Sequence, residues 1–434
     1  MSTLELGSGS RWQPLTLLAR RAAAPVAIFA GTLVVYYLSN PDPLGSPGQP
    51  WYQHYIYLAD AMLHGTLDVG SVGMPDFYQD VVTIGDARYL PFPPGPAIIL
   101  MPFVAIWGTG FSQIYFSMAL GALNVVLLWY LLGLLNVSRT TGMLMVPFFA
   151  FGTAHFYAAT TGTTWFIGHV SAVFFTLLAL ITLFRKMPPL LTALLLGFAF
   201  MSREPVVLSA PVFLYWIFRQ KHETVSVENL LDRDTIYRMG SFCAGLVPFV
   251  VIWFAYNVAR FDGLFDTGYS TVADGYRNGG IAYSFYLVDF PDAPRFHLFD
   301  IRSIPVHLYT IFLMPPQFVP GWDIFRPSPY GMSVLLTSPA FIYAGFVKSK
   351  SWLKPSLWIA IAFVAFPLLL HYSQGWVQFG YRFLLDFAPF LLILTALGFD
   401  DNDSPGARRL QVALVAVAIV AGFWGRHWAN QLGW

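Results

Sequence analysis

Long apolar runs recur along the whole of this 434-residue chain, and they leave few folds open to it. Residues 123–135 and 410–423 are typical. A soluble core buries one or two such runs, not so many. Composition agrees: 11% of residues are charged and 56% are hydrophobic, where a soluble domain carries roughly 25% charged residues. Backbone amides placed in hydrocarbon must be bonded within their own segment, so the runs are read as helices. The predicted fold class is an all-α polytopic membrane protein, a single integral membrane domain over 1–434.

Eleven segments qualify as transmembrane helices: 24–39, 114–135, 141–159, 167–184, 189–202, 204–218, 238–257, 332–347, 356–371, 380–398 and 409–424. Most approach the ~20 residues that a bilayer demands. Residues 96–107 are apolar but short and proline-flanked, and are read as lying along the outer surface. That choice gathers Arg11, Arg20, Arg21, Arg139, Arg185, Lys186, Arg219, Lys221, Lys348, Lys350, Lys354, Arg408 and Arg409 on one side. Lys and Arg favour the cytoplasm, so residues 1–23 are read as a cytoplasmic N-terminus and the C-terminus as extracytoplasmic, in a cell (inner) membrane. The first apolar run lacks a small-residue cleavage site and is read as an uncleaved span.

Two large extracytoplasmic loops remain, 40–113 and 258–331. The first holds Asp42, Asp60, Asp68, Asp76, Asp80 and Asp86 against one arginine, Arg88. Within it, residues 51–64 read as an interfacial helix. Tyr52, Ile56, Ala59 and Leu63 share one face, and Gln53, Tyr57, Asp60 and His64 another. Glycines then punctuate the chain down to the Gly85-Asp86 turn.

Three segments carry a family resemblance. Tyr55, Ala59, Leu63 and Gly65 match a Y-x-x-x-A-x-x-x-L-x-G helix, and Arg88-Tyr89 with Pro93-Pro94 matches an R-Y-x-x-x-P-P turn. Phe379-Gly380 with Arg382-Phe383 matches F-G-x-R-(Y/F) ahead of a late span. In this order they resemble the GT-C glycosyltransferases, among them lipid A aminoarabinose transferases and protein O-mannosyltransferases. Tyr256-Asn257 through Asp262, followed by Thr267-Gly268-Tyr269, is a further echo. The resemblance implies a sugar donor on a polyprenyl-phosphate carrier, an extracytoplasmic acceptor (lipid, cell-wall glycan or protein) and interfacial helices in the first loop. One feature departs from the pattern. The Asp or Asp-Glu that those enzymes place before the first loop helix is replaced by Trp51 and Tyr52.

Sugar transfer from a lipid phosphate to a hydroxyl needs a base for the acceptor proton and cations for the leaving phosphate. Asp80 is the first choice for the base, on its loop position and on the resemblance. Asp60 and Asp86 are alternatives, although Asp60 also suits an i,i+4 pair with His64 and Asp86 suits a tight turn. His54 would orient the base or meet phosphate. Arg382 would bind the carrier phosphate, its guanidinium held by Asp386 one turn below. Arg203, at a break between two short spans, and His169, near the start of another, are further phosphate or acceptor contacts. Tyr55, Arg88 and Tyr89 join the substrate-binding set through the matched motifs.

Other functions find less support. No basic tract interleaved with aromatics points to nucleic acid. Cys243 is the only cysteine, which rules out an intrachain disulfide, and it reads as a packing residue. HExxH is absent and the histidines are scattered, so no metal site is assigned. No cofactor is expected, the lipid-linked sugar being substrate. Asn136-Val137-Ser138 is a sequon on the cytoplasmic side. A transporter or flippase would carry repeats and midplane charges, neither of which stands out. A polyprenyl-linked glycan polymerase or ligase is the remaining alternative.

Overall fold

A computed structural model describes residues 13–40, 52–321, 324–348 and 352–434, without side-chain placement for 13–22. Arg11, Asp42, Trp51, Asp323 and Lys350, and the side chains of Arg20 and Arg21, lie outside this set. The described chain is mostly helical. In order run α1 (Gln13–Ser39), α2 (His54–Leu63), α3 (Gly95–Trp107), α4 (Gln113–Leu134), α5 (Arg139–Phe151), α6 (Ala154–Thr161), α7 (Thr164–Phe184), α8 (Pro189–Ser202), α9 (Ala210–Arg219), α10 (Val227–Leu231) and α11 (Arg233–Phe261). They continue as α12 (Tyr269–Asn278), α13 (Tyr286–Asp289), α14 (Ser303–Phe312), α15 (Val334–Thr337), α16 (Leu353–Leu370), α17 (Ala388–Asp400) and α18 (Pro405–Leu432). Two small antiparallel hairpins, β1 (Val82–Ile84) with β2 (Ala87–Tyr89) and β3 (Gln317–Val319) with β4 (Ile324–Arg326), complete it. Gly85 takes φ +60° in the first hairpin's turn, a conformation that glycine adopts without steric cost.

Local chemistry sets the helix ends. Ser112, Ser138, Thr153 and Ser404 each accept a backbone N–H at the start of α4, α5, α6 and α18, as N-cap residues do. Behind α8, Arg203 is extended and Pro205 has no N–H to return, so the chain continues as a 3-10 segment, Glu204–Ser209, before α9. Further 3-10 segments, Pro339–Phe346 and Arg382–Asp386, precede α16 and α17.

Among the described residues, five helices are long and apolar enough to cross a membrane: α4, α7, α11, α16 and α18. The α5–α6 pair, bent by 48°, makes a sixth if counted as one span. Close approaches need glycine. A Cβ on Gly398 of α17 would sit 1.9 Å from the Tyr343 carbonyl oxygen, and one on Gly422 of α18 would sit 2.0 Å from that of Phe151. Small residues at helix contacts permit such approach. Cys243, expected in the packing, is exposed on α11.

The ends of the bundle separate cleanly. At one end Asn430 of α18 donates to Ser39 of α1, Asn40 donates to Thr160 of α6, and Gln113 of α4 donates to Gly162. At the other end Asp400 accepts from Ser138, Lys348 donates to Asp401, and Arg408 donates to Thr141. The chain therefore leaves α1 and enters α4 at the same end. The intervening α2 and α3 do not carry it across. With 13 residues, α3 is about 20 Å long, short of the ~30 Å hydrocarbon core. Gly95 at its start abuts the Met201 carbonyl at the end of α8.

The helix expected over 51–64 forms as His54–Leu63, but it has no broad wet face. His54 to Ala59 are all buried, beneath a cluster that includes Val69, Tyr78, Phe92 and Leu100. The loop after α2 folds back and covers the polar side.

Candidate active site

The loop that covers α2 delivers Asp80. Its backbone is left-handed, φ +56°, which is uncommon for a residue with a Cβ. His54 holds the preceding peptide. Its Nε2 lies 2.9 Å from the Gln79 carbonyl oxygen and its Nδ1 lies 2.8 Å from Oγ1 of Thr164. A carbonyl only accepts, so the imidazole hydrogen belongs on Nε2. His54 is fully buried among Tyr78, Phe92 and Trp165, and burial pushes its pKa down to about 4. A neutral, enclosed ring cannot reach a phosphate in solvent. Of the two roles expected for His54, orienting the base is the one its position permits.

The Asp80 carboxylate receives two donors from distant parts of the chain. Trp165 Nε1, at the start of α7, donates to Oδ2 at 2.6 Å, and the Tyr276 hydroxyl of α12 donates to Oδ1. Burial raises the Asp80 pKa. The two donors and the nearby Arg382 charge act in the opposite direction. Protein crowds Asp80 on most sides, yet part of it stays exposed. Desolvation also raises Tyr276, followed by the Asp80 charge.

Opposite stand the arginines. Arg203 binds the buried Asp386 carboxylate through Nε, 3.1 Å from both oxygens, and through Nη2 at 2.9 Å. His169 Nδ1 lies 2.6 Å from Oδ1 of the same carboxylate. Asp386 therefore serves Arg203 and His169, not Arg382 as its spacing suggested. The reason is local. Arg382–Asp386 is a 3-10 segment, and at three residues per turn positions i and i+4 point about 120° apart. Nor is His169 open to the outside; it is fully buried.

Arg382 lies over the Phe166 ring at 5.2 Å and the Phe383 ring at 5.4 Å, positions that attract a cation to a ring face. One terminal nitrogen donates to the Trp376 carbonyl, and its Nε is buried with no hydrogen-bond partner. Among the described residues no carboxylate forms an ion pair with it. Gln378, fully buried, accepts from the Arg382 backbone and anchors that turn. Phe383 is a shared floor. Arg203 lies 5.5 Å from its ring, and His169 at 5.9 Å and His371 at 5.7 Å are its ring neighbours.

The structure thus brings Asp80, Arg382 and Arg203 to one end of the bundle around a common group. Tyr269 lies within electrostatic reach of all three, and Tyr55 within reach of Arg203 and Tyr269. Polar tips remain partly exposed above the buried Phe383, His169 and Asp386. A carboxylate whose proton affinity burial raises therefore lies within electrostatic reach of an arginine that no carboxylate pairs among the described residues.

The remaining expected residues lie apart from this group. Asp60 is 3.5 Å from His64 in an i,i+4 pair. Arg88 is consumed by its own loop, donating to Asp76 at 2.7 Å and to the Met74 and Pro75 carbonyls. Tyr89 packs edge-on against Phe261, and Asp86 is exposed in the hairpin turn. Trp165, Tyr276 and Tyr269 were not anticipated as site residues, nor was Glu204, which accepts from Trp253 at 2.7 Å. One signal was available: Tyr269, Ala273 and Tyr276 recur at helical spacing on a single face of α12. Among the described residues no group of three or more His, Cys, Asp or Glu side chains is arranged to hold a metal ion.

Comparison with protein families, curated proteins and solved structures returns no match.

Proposed function

We propose that the protein is a multi-pass membrane glycosyltransferase that moves a sugar from a polyprenyl-phosphate carrier to a hydroxyl acceptor at the outer surface of a cell membrane. The observation that carries this reading is the partly exposed Asp80 within electrostatic reach of an arginine, Arg382, that has no carboxylate partner among the described residues. Eleven crossings are assigned to α1, α4, α5–α6, α7, α8, α9 with its 3-10 lead, α11, α15 with Pro339–Phe346, α16, α17 with Arg382–Asp386, and α18. An odd number puts the termini on opposite sides. The end carrying Arg139, Lys186, Lys221, Lys348 and Arg408 is assigned to the cytoplasm by the positive-inside tendency. The Asp80 end then faces outward.

In this mechanism the acceptor hydroxyl gives its proton to Asp80 as its oxygen attacks the anomeric carbon. The bond from that carbon to the phosphate oxygen breaks, and the lipid phosphate leaves with the electron pair. Attack opposite the leaving group inverts the anomeric centre. Arg382 takes up the charge that develops on the phosphate, and Arg203, oriented by Asp386, adds a second donor. Asp80 suits the base because burial raises its proton affinity, while the hydrogen bonds from Trp165 and Tyr276 act in the opposite direction and favour the ionised form. A positioned base contributes roughly 10²–10⁴-fold.

The test is incubation of purified protein with radiolabelled polyprenyl-phosphate sugars and membrane extract, alongside flux measurements in proteoliposomes. Label transferred to an acceptor supports the reading. Flux of a lipid-linked or polar solute without transfer would replace it with a transporter.

A further inference from the structure

Away from the Asp80 end, α9 and α16 leave an apolar groove of about 280 Å³ between them. Pro211 and Tyr215 line one wall, and Trp352, Ile359 and Phe363 the other. Ile359 and Phe363 are each nearly half exposed, at 47% and 44%. The groove is smaller than the roughly 300–1,000 Å³ pockets that engulf a compact ligand. Its open, apolar lining suits an acyl chain.

The groove runs toward a positively charged mouth. Arg219, in the last turn of α9, lies over the Trp352 ring at 5.5 Å. Its Nε is buried without a hydrogen-bond partner, and among the described residues no carboxylate forms an ion pair with it. Lys354 stands at the start of α16 with its amine on the Val347 carbonyl, and Arg238 donates to Gln220. The nearby acids are engaged elsewhere: Asp232 and Asp234 both pair with Lys221. An apolar slot that ends at uncompensated cations and an interfacial tryptophan has the chemistry of an anionic lipid site.

We propose that this groove binds one anionic glycerophospholipid of the cytoplasmic leaflet. An acyl chain lies between α9 and α16, and the headgroup phosphate meets Arg219. The site is separate from the Asp80 group. It rests on the membrane placement above and not on the sugar-transfer chemistry.

Native mass spectrometry of the delipidated full-length protein tests it, with dioleoyl phosphatidylglycerol, dioleoyl phosphatidylcholine and undecaprenyl phosphate as probes. The wild type should retain phosphatidylglycerol over phosphatidylcholine by about fivefold, the factor one basic residue contributes near an anionic headgroup. Arg219→Gln should erase that preference, and Ile359→Trp, which fills the groove, should weaken both adducts. Equal retention of the two phospholipids overturns the proposal, as does an unchanged preference in Arg219→Gln or the absence of any lipid adduct. Displacement of phosphatidylglycerol by undecaprenyl phosphate would assign the groove to the carrier lipid instead.

Discussion

The indole nitrogen of Trp165 donates to Oδ2 of Asp80 across 2.6 Å. This bond joins the first turn of a long apolar helix to a loop residue held in a left-handed conformation. It fixes the carboxylate at the rim of the bundle, and Tyr276 fixes its other oxygen from a separate loop helix. The side chain proposed to carry the chemistry is thus positioned by parts of the chain far from its own segment.

Tyr276→Phe should shift the pH dependence of transfer. The Tyr276 bond lowers the Asp80 pKa against the burial that raises it. Without that bond the carboxyl holds its proton to higher pH. A base works only when ionised, so the acid limb of kcat/KM should move upward in pH while the plateau at high pH is largely kept. A uniform loss at every pH would mark Tyr276 as a packing residue only.

Arg203 and Asp386 should behave as one unit in stability. Asp386 is wholly buried, and Arg203 supplies three of its contacts. Arg203→Gln leaves a buried carboxylate with His169 as its remaining partner, at a cost of about 3–5 kcal/mol. Arg203→Gln combined with Asp386→Asn removes both charges and should recover much of that loss. Thermal unfolding of the two single variants and the double variant checks this. Strict additivity of the losses would contradict the pairing.

At the opposite end Asp400 accepts from the Ser138 backbone and hydroxyl and from the Thr141 hydroxyl. Asp400→Ala removes the acceptor of these bonds and should lower stability by about 1–3 kcal/mol, and leave the KM for a lipid-linked donor unchanged. A changed donor KM would mean that the two ends of the bundle are coupled.

Orientation is checked by labelling. In a Cys243→Ser background, Arg139→Cys should react with a membrane-impermeant maleimide only after the membrane is opened. Labelling of intact cells would invert the assigned topology.

The sequence was most legible where a single segment decides the outcome. Each expected apolar run contains a helical element, although among the described residues only five helices, or six with the bent α5–α6 pair, are long and apolar enough to cross a membrane, and the Arg203-Glu204-Pro205 interruption is a real break. The candidate site was legible in part, because Arg203 and Arg382 stand out as charges at the edges of apolar segments and Asp80 as an acid of the first large loop. Their partners did not. Trp165 lies 85 residues from Asp80 and Tyr276 lies 196 away, and no local pattern specifies contacts at that separation. Arg382 and Asp386 misled for a geometric reason: the i,i+4 spacing pairs side chains on an α-helix and separates them on the 3-10 segment that forms here. The polar face of α2 misled because the covering loop, which the helix pattern does not encode, encloses it.

The most direct measurement compares kcat for sugar transfer in wild type, Asp80→Asn and Asp60→Asn, each reconstituted in lipid with a radiolabelled polyprenyl-phosphate donor. The account predicts a fall of roughly 10²–10⁴-fold for Asp80→Asn and near-normal turnover for Asp60→Asn. Undiminished transfer by Asp80→Asn would contradict it.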